Sequence, residues 1–341
     1  MKTYKICRTP FSMLISTPDG ETYPCCGEFT NYSFGNLYKQ PLEEILNGKR
    51  IREFRRSILD GSYKYCNRKM CSGFIPDQFV DISKIDEKYP KEVNLSFDTT
   101  CNVRCIMCRD KNWILQPEIK KQLSKAIDNV FIPLLKDCKH LVLNCDGEFF
   151  ASKESMNLAK KLIKLYPDLK FDILTNGILC TKEKLEELNI LSRLNRITLS
   201  LHAGTAETHE KVLRVKNKFN TVMKNINDLT KLKNKGILND FGLVFVLSSV
   251  NYKDIPMFAE IVEKHKISGD IWQFRDWQNS KMCSEYEKYN IVDPNHPEFE
   301  DFLEVLRDSR VKTEYLIKND KIAELYKFAN KKKAKTKVRK K

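Results

Sequence analysis

The 341-residue chain contains no long apolar run. A membrane-crossing helix needs about 20 consecutive apolar residues, so no span is expected. Its opening, Met1-Lys-Thr-Tyr-Lys-Ile-Cys7, lacks the apolar stretch of a secretory signal. The expected location is therefore the cytoplasm. No internal repeat is visible, which excludes a solenoid array. No recognisable RNA-binding domain is present. The last eleven residues, Lys331 to Lys341, hold no acid and eight basic residues. Removing those eight charges from the formal net charge of +15 leaves +7 over the other 330 residues. The basicity is thus largely a tail, and such a tail reads as a solvated, disordered end rather than a nucleic-acid site. With 41% hydrophobic residues and 10% aromatics, the chain has too much apolar content for overall disorder.

Cysteine is plentiful, with twelve residues. Without a secretion signal, disulfides are disfavoured and metal or redox roles gain weight. Cys7, Cys25, Cys26, Cys66 and Cys71 fall in the first fifth, and Cys101, Cys105 and Cys108 follow. Cys138, Cys145, Cys180 and Cys283 lie in or near apolar segments and read as small buried hydrophobes.

The central run is Asp98-Thr-Thr-Cys-Asn-Val-Arg-Cys-Ile-Met-Cys-Arg109, a C-x3-C-x2-C spacing directly after a strand-like segment, Val93 to Phe97. Three neighbouring thiolates can hold a cluster that needs four ligands, leaving one iron without a protein ligand. An open position is what separates a reactive metal site from a structural one. The alternatives are a zinc site or three unrelated buried thiols. Zinc wants a fourth ligand nearby, and no His or Cys closely follows Cys108.

After Lys91 the pattern alternates strand and helix. Strands are expected at Val93–Phe97, His140–Asn144, Leu169–Thr175, Arg196–Leu201, Phe241–Leu247 and Asp270–Phe274. Helices are expected at Gln116–Leu135, Lys153–Leu165, Lys182–Leu188, Glu207–Lys233 with a break near Val215–Lys218, and Asp254–His265. Such alternation implies parallel strands and right-handed crossovers. Six units are fewer than the eight of a closed barrel. The expected fold class is α/β: a partial (β/α)6 TIM-like barrel preceded by a small cysteine-rich domain. Residues 1–90 form that domain, with a hairpin from Pro10 to Pro24 turning at Asp19-Gly20 and a helix from Leu42 to Ile58. Residues 91–298 form the barrel. Residues 299–341 read as a helical extension and basic coil. Polar residues and glycines gather at successive strand ends, where barrel folds place their chemistry. They are Asp146-Gly147-Glu148, Thr175-Asn176-Gly177, and Ser200 with His202.

With these residues in view, Lys91 to about Gln278 resembles the radical S-adenosylmethionine (radical SAM) superfamily. Asp146-Gly-Glu-Phe149 stands where the family has Gly-Gly-Glu-Pro, whose backbone meets the amino group of the SAM methionine; Gly147 and Glu148 match it. Leu174-Thr-Asn-Gly177 resembles the family's third-strand ending and brings in Asn176. Ser200-Leu-His-Ala203 resembles a Ser-x-Asp-Ala pattern that holds the ribose, with His202 in place of the acid. Arg214 stands where an arginine reaches the SAM carboxylate, a role suited to a planar, permanently charged fork. Met107 lies where the family usually has an aromatic near the adenine, and a thioether can pack against a ring. The resemblance implies a 4Fe-4S cluster on Cys101, Cys105 and Cys108, with SAM at the open iron. It further implies reductive cleavage of SAM to a 5′-deoxyadenosyl radical that abstracts hydrogen from a substrate.

The first segment resembles the SPASM/twitch auxiliary-cluster domain through Cys7, Gly20, Pro24-Cys-Cys26, Gly35-Asn-Leu37, the stretch Pro41 to Asn47, Arg55 and Cys66. In most relatives this module follows the barrel; here it precedes it. The resemblance implies a second, auxiliary 4Fe-4S cluster on Cys7, Cys25, Cys66 and Cys71. Cys26 is the alternative to Cys25, and a structural zinc is the alternative to the cluster.

The expected function is a radical SAM enzyme of oxidoreductase or lyase type, acting on a small molecule, sugar or peptide. Its expected electron donor is flavodoxin or ferredoxin, with no membrane partner and nucleic acid disfavoured. The alternatives are an RNA-modifying radical SAM enzyme and a non-catalytic iron–sulfur or zinc-binding protein. Asn251, Trp272, Gln273, Arg275, Asp276, Trp277 and Gln278, which leave the fifth and sixth strands, are candidate substrate contacts.

Overall fold

The computed structural model describes residues 5–27, 29–67, 71, 79–81, 89–108, 117–143, 146–275 and 285–338. Cys145, Cys283, Asp276, Trp277 and Gln278 lie outside them. The described strands are β1 (Lys5–Cys7), β2 (Met13–Ser16), β3 (Glu21–Tyr23), β4 (Gly35–Asn36), β5 (Phe79–Asp81), β6 (Glu92–Leu95), β7 (His140–Leu143), β8 (Lys170–Thr175), β9 (Leu194–Ser200), β10 (Asp240–Leu247), β11 (Ser268–Gln273) and β12 (Leu316–Lys318).

The chain forms two compact units. One comprises Met1–Cys101, Trp113–Ile173 and Leu188–Asn195; the other comprises Asn102–Asn112, Leu174–Glu187 and Arg196–Lys341. In the first, β2 and β3 form the expected hairpin, pairing Ile15 with Tyr23 and Ser16 with Thr22. Its turn closes through Gly20 N–H to the Thr17 carbonyl at 2.8 Å. Gly20 has φ +89°, and a Cβ there would overlap the Tyr38 ring. β4 pairs with β3. β2 also pairs in parallel with β6, and parallel pairing continues from β6 to β7 and from β7 to β8. The hairpin of the cysteine-rich segment is therefore in register with the first strand of the α/β pattern. Tyr38, Phe131 and Phe97 pack in series, with ring centroids 6.1 Å and 5.4 Å apart. Phe97 is fully buried and immediately precedes the cysteine loop.

In the second unit β9, β10, β11 and β12 pair in parallel. β10 reads Asp-Phe-Gly-Leu-Val-Phe-Val-Leu and is buried on both faces through most of its length, as central parallel strands are. The helix Ile255–His265 packs Phe258 on Phe245, with centroids 5.0 Å apart. Gly269 lets β11 approach this helix, since a Cβ would come within 2.5 Å of Val262. Arg196 joins the starts of three strands through Asp240 at 2.8 Å, Ser268 at 3.1 Å and Asp270 at 3.5 Å.

All six expected parallel strands are present, with no end shifted by more than two residues. Three sequence expectations need correction. Gly48 splits the expected Leu42–Ile58 helix into Leu42–Asn47 and Lys49–Leu59. The expected Gln116–Leu135 helix passes through a π-helical segment at Ile127–Phe131. The region expected as helix and basic coil contains β12, paired with β11, and a helix at Asp320–Val338.

Among the described residues no helix is long and apolar enough to cross a membrane. Among the described residues, three have buried side-chain polar atoms without a partner, His209, His265 and Asn290, and His209 has two. His209 is fully buried and neither ring nitrogen has a hydrogen-bond partner. It meets the edge of Phe219, centroids 5.5 Å apart. Burial lowers its pKa from 6.5 to about 4.

Two measurements check these packing arguments. Gly20→Ala must place an L-residue in the left-handed region, costing about 1–2 kcal/mol before overlap with Tyr38 is counted. Its melting temperature should fall; an unchanged value would contradict the turn assignment. His209→Leu should raise stability by about 1 kcal/mol, because it removes buried polar atoms that lack partners. It should also reduce sensitivity to acid. A lowered native pKa means the unfolded chain binds the proton first as pH drops. The stability present above pH 6.5 is then lost between 6.5 and about 4, by on the order of 3 kcal/mol. Urea midpoints at pH 7.5 and 5 should differ less in the variant than in the wild type.

Candidate active site

The cysteine loop starts in the first unit, where a buried carboxylate organises it. Asp98 Oδ1 accepts from the Thr100 amide at 2.9 Å and the Thr100 hydroxyl at 2.7 Å. Its Oδ2 accepts from the Ser152 hydroxyl at 2.6 Å. Ser152 also caps the helix Lys153–Leu165, accepting from Ser155 N–H at 3.0 Å, as N-cap serines do. From the loop after β7, Glu148 N–H donates to the Thr100 carbonyl at 2.8 Å. Glu148 is almost fully buried, and its carboxylate accepts from Phe150 N–H at 3.2 Å. Gly147 precedes it, half-buried. Thus Thr100, the residue before Cys101, is bonded to the backbone of Glu148 and to the side chain of Asp98.

The loop continues in the second unit, where two further elements hold it. Asn102 accepts from the Asn176 amide at 2.8 Å, beyond the end of β8. Arg104 and Ile106 N–H donate to the carbonyls of Leu213 and Val212 at 3.3 and 2.9 Å. Those carbonyls end the helix Ala206–Leu213 and would otherwise lack partners. The next residue is Arg214, in the left-handed region with φ +51°. A Cys108 N–H to Cys105 carbonyl bond of 3.1 Å closes the turn that carries the last two thiols. Met107 is buried, while Cys101, Cys105 and Cys108 are half-buried.

Ser200 is the last residue of β9. His202 follows with φ +55°. Its Nδ1 accepts from Val246 N–H at 3.0 Å, so Nε2 carries the proton. Burial lowers its pKa to about 3, with His209 adding to the effect, so the ring is neutral at pH 7. Asn251 corrects an expectation. It is fully buried, and its amide is committed to Ser248, His202 and Val246. It braces the strand end rather than facing a substrate. Asp254 plays a similar part, accepting from Gly204 N–H, Thr205 N–H and the Thr205 hydroxyl at 2.8–2.9 Å. A solvent-open cavity of about 390 Å³ lies against Glu207, Glu210, Lys211, Arg214, Val215 and Lys216. Trp272 at the end of β11 is 42% exposed, and Gln273 and Arg275 are half-buried.

Sequence reasoning quoted Asp98 without giving it a role and passed over Thr100, Asn102 and Ser152. The available signal was an Asp two residues before a hydroxyl residue, a local pattern that builds side-chain-to-backbone turns.

The other cysteines gather within the first unit. Cys7 ends β1, Cys25 and Cys26 follow β3, and Cys66 and Cys71 follow the helix Lys49–Leu59. Burial raises the Cys25 thiol pKa, and charge on Cys66, Cys7, Cys26 and Cys71 raises it further. Burial also raises Cys71, with Cys7 adding to it. The thiols are therefore close enough to sense one another. They do not converge on one point: among the described residues no three His, Cys, Asp or Glu side chains form a single-ion site. A 4Fe-4S cluster takes one thiolate per iron, so this donor set fits such a cluster. The cradle is fixed by packing. Tyr65, next to Cys66, stacks on Phe54 with centroids 5.8 Å apart. Arg55 donates to the Pro10 carbonyl at 3.0 Å.

Comparison with known proteins agrees with this layout. The profile of an iron–sulfur cluster-binding domain, SPASM, matches residues 7–72, and that of the radical SAM superfamily matches residues 95–262. An Fe-coproporphyrin III synthase of Methanosarcina barkeri (strain Fusaro / DSM 804) is 25% identical over 195 residues, 57% of this chain and 45% of that protein. SuiB of Streptococcus suis bound to S-adenosylmethionine aligns with a TM-score of 0.44 and 15% identity over 79% of this chain and 55% of SuiB. A second SuiB structure gives 0.46 and 15% over 93% and 71%. The chain thus spans just under half the length of the curated relative. The domains imply a 4Fe-4S cluster, SAM and auxiliary iron–sulfur binding. The chain belongs to the radical SAM superfamily, with its SPASM domain ahead of the radical SAM domain.

Proposed function

We propose that this chain cleaves SAM reductively at the Cys101–Cys108 loop and uses the product to abstract hydrogen from a small-molecule, sugar or peptide substrate. The observation that carries the reading is the set of hydrogen bonds around the loop. Glu148, Asn176 and the helix ending in Arg214, all assigned to SAM by resemblance, each bond to the loop within four residues of a cysteine. Held by Cys101, Cys105 and Cys108, a 4Fe-4S cluster with one iron open would supply the electron that breaks the sulfonium–carbon bond of SAM.

The chain's own groups have distinct tasks in this reading. Cys101, Cys105 and Cys108 hold three irons. Gly147 and Glu148 present backbone to the SAM amino group. Arg214, exposed beside the cavity, binds the carboxylate as a charged fork. Asn176, Ser200 and His202 line the ribose side. With Nδ1 committed to Val246, His202 offers a neutral Nε2–H donor, which suits a hydroxyl oxygen. Met107 packs against the adenine. Cys7, Cys25, Cys66 and Cys71 hold the auxiliary cluster. Trp272 and Arg275 face the substrate. The reducing electron comes from a flavodoxin or ferredoxin.

Anaerobically reconstituted protein should load about eight irons, two 4Fe-4S clusters. Reduced with dithionite and given SAM, it should release 5′-deoxyadenosine. A Cys101/Cys105/Cys108→Ala variant should load about four irons and release none. Equal release from that variant would overturn the proposal, and four irons with zinc in the wild type would overturn the auxiliary cluster.

A further inference from the structure

Five thiols stand in the SPASM domain for the four corners of one cluster. The fifth, Cys26, is tied to the loop that carries two of the ligands. Phe29 N–H donates to the Cys26 carbonyl at 2.9 Å, Asn67 N–H to the Phe29 carbonyl at 2.7 Å, and Cys71 N–H to the Asn67 carbonyl at 2.9 Å. This chain of backbone bonds runs from the Cys26 turn to Cys71, and Cys66 lies one residue before Asn67. Cys66 N–H is itself held by the Tyr63 carbonyl at 3.0 Å. Cys25 is half-buried beside the same group: burial raises its thiol pKa, and charge on Cys66 and Cys7 adds to the rise. The two adjacent cysteines leave β3 through a bend behind Pro24 rather than through an extended strand. In a strand, alternate residues face opposite sides. A bend removes that strict opposition.

We propose that Cys25 and Cys26 are exchangeable ligands of the same cluster iron, with Cys26 in reserve while Cys25 is bound. The inference rests on the auxiliary-cluster reading above. In the exchange the iron–sulfur bond to Cys25 breaks and one to Cys26 forms. The Cys26 thiol gives up its proton, and the departing Cys25 thiolate takes one. No oxidation state changes. The exchange lets one corner of the auxiliary cluster open and close without loss of iron, whereas Cys7, Cys66 and Cys71 have no neighbouring thiol to replace them.

Iron counts and EPR spectra of the reduced full-length protein test this in the wild type, Cys25→Ala, Cys26→Ala and the double variant. The expected result is about eight irons in the wild type and in each single variant; in the double the three remaining thiolates leave one auxiliary iron open, so added cyanide perturbs the auxiliary EPR signal there and in neither single variant. The auxiliary EPR signal should persist but shift in Cys25→Ala, and be unchanged in Cys26→Ala. Four irons in either single variant, or an auxiliary signal that cyanide perturbs in Cys25→Ala as it does in the double, would overturn the exchange. Four irons in the wild type would overturn the auxiliary cluster itself, so the two failures are distinguishable. The four irons on Cys101, Cys105 and Cys108 report folding in every variant, and Cys25→Ser provides a milder substitution if Cys25→Ala loses them.

Discussion

The hydrogen bond from Glu148 N–H to the Thr100 carbonyl joins two strand ends at the residue before Cys101. A cluster held by three thiolates needs those thiolates fixed in space, and a loop fixes them only if its backbone is tied down. Asp98 does most of that tying. One oxygen takes both Thr100 donors and the other takes the Ser152 hydroxyl, so the cysteine loop and the capped helix after β7 share a single carboxylate. A buried carboxylate filled by short hydrogen bonds is costly to disturb, which gives the loop its rigidity.

Within the second unit, residues 102–108 of the loop are held at a helix end. The last carbonyls of Ala206–Leu213 find partners in Arg104 and Ile106 N–H. At such ends the residue past the helix is commonly a glycine in the left-handed region. Here it is Arg214, and His202 at the end of β9 adopts the same conformation. Non-glycine residues in this region carry strain of about 1–3 kcal/mol, and such strain concentrates at functional sites. Both are residues that the resemblance assigns to the cofactor. An arginine, not a glycine, at the helix end is consistent with a side chain kept for what it binds.

Much of this was legible in the sequence. The alternation after Lys91 identified six parallel strands, because strands buried on both faces read as short apolar runs and the intervening helices read as amphipathic. The Asp19-Gly20 turn identified the hairpin. The cysteine spacing and strand-end motifs pointed to the superfamily. Other features depended on tertiary contact. Pairing of β2 with β6 links segments about 80 residues apart and leaves no local pattern. β12 is three residues long, too short for periodicity to register. Asn251 looked like a substrate contact because it follows a strand, yet its amide is spent on Ser248, His202 and Val246. Asp98 looked like an ordinary loop acid until its partners were known.

The most direct test of the central claim is the dissociation constant for SAM in Asp98→Ala, measured against wild type at equal iron content. Loss of the carboxylate frees Thr100 and with it the register between Cys101 and Glu148. SAM should bind about tenfold more weakly, the scale of one buried hydrogen-bonding group. An unchanged constant would show that the loop does not need Asp98 to hold the cofactor.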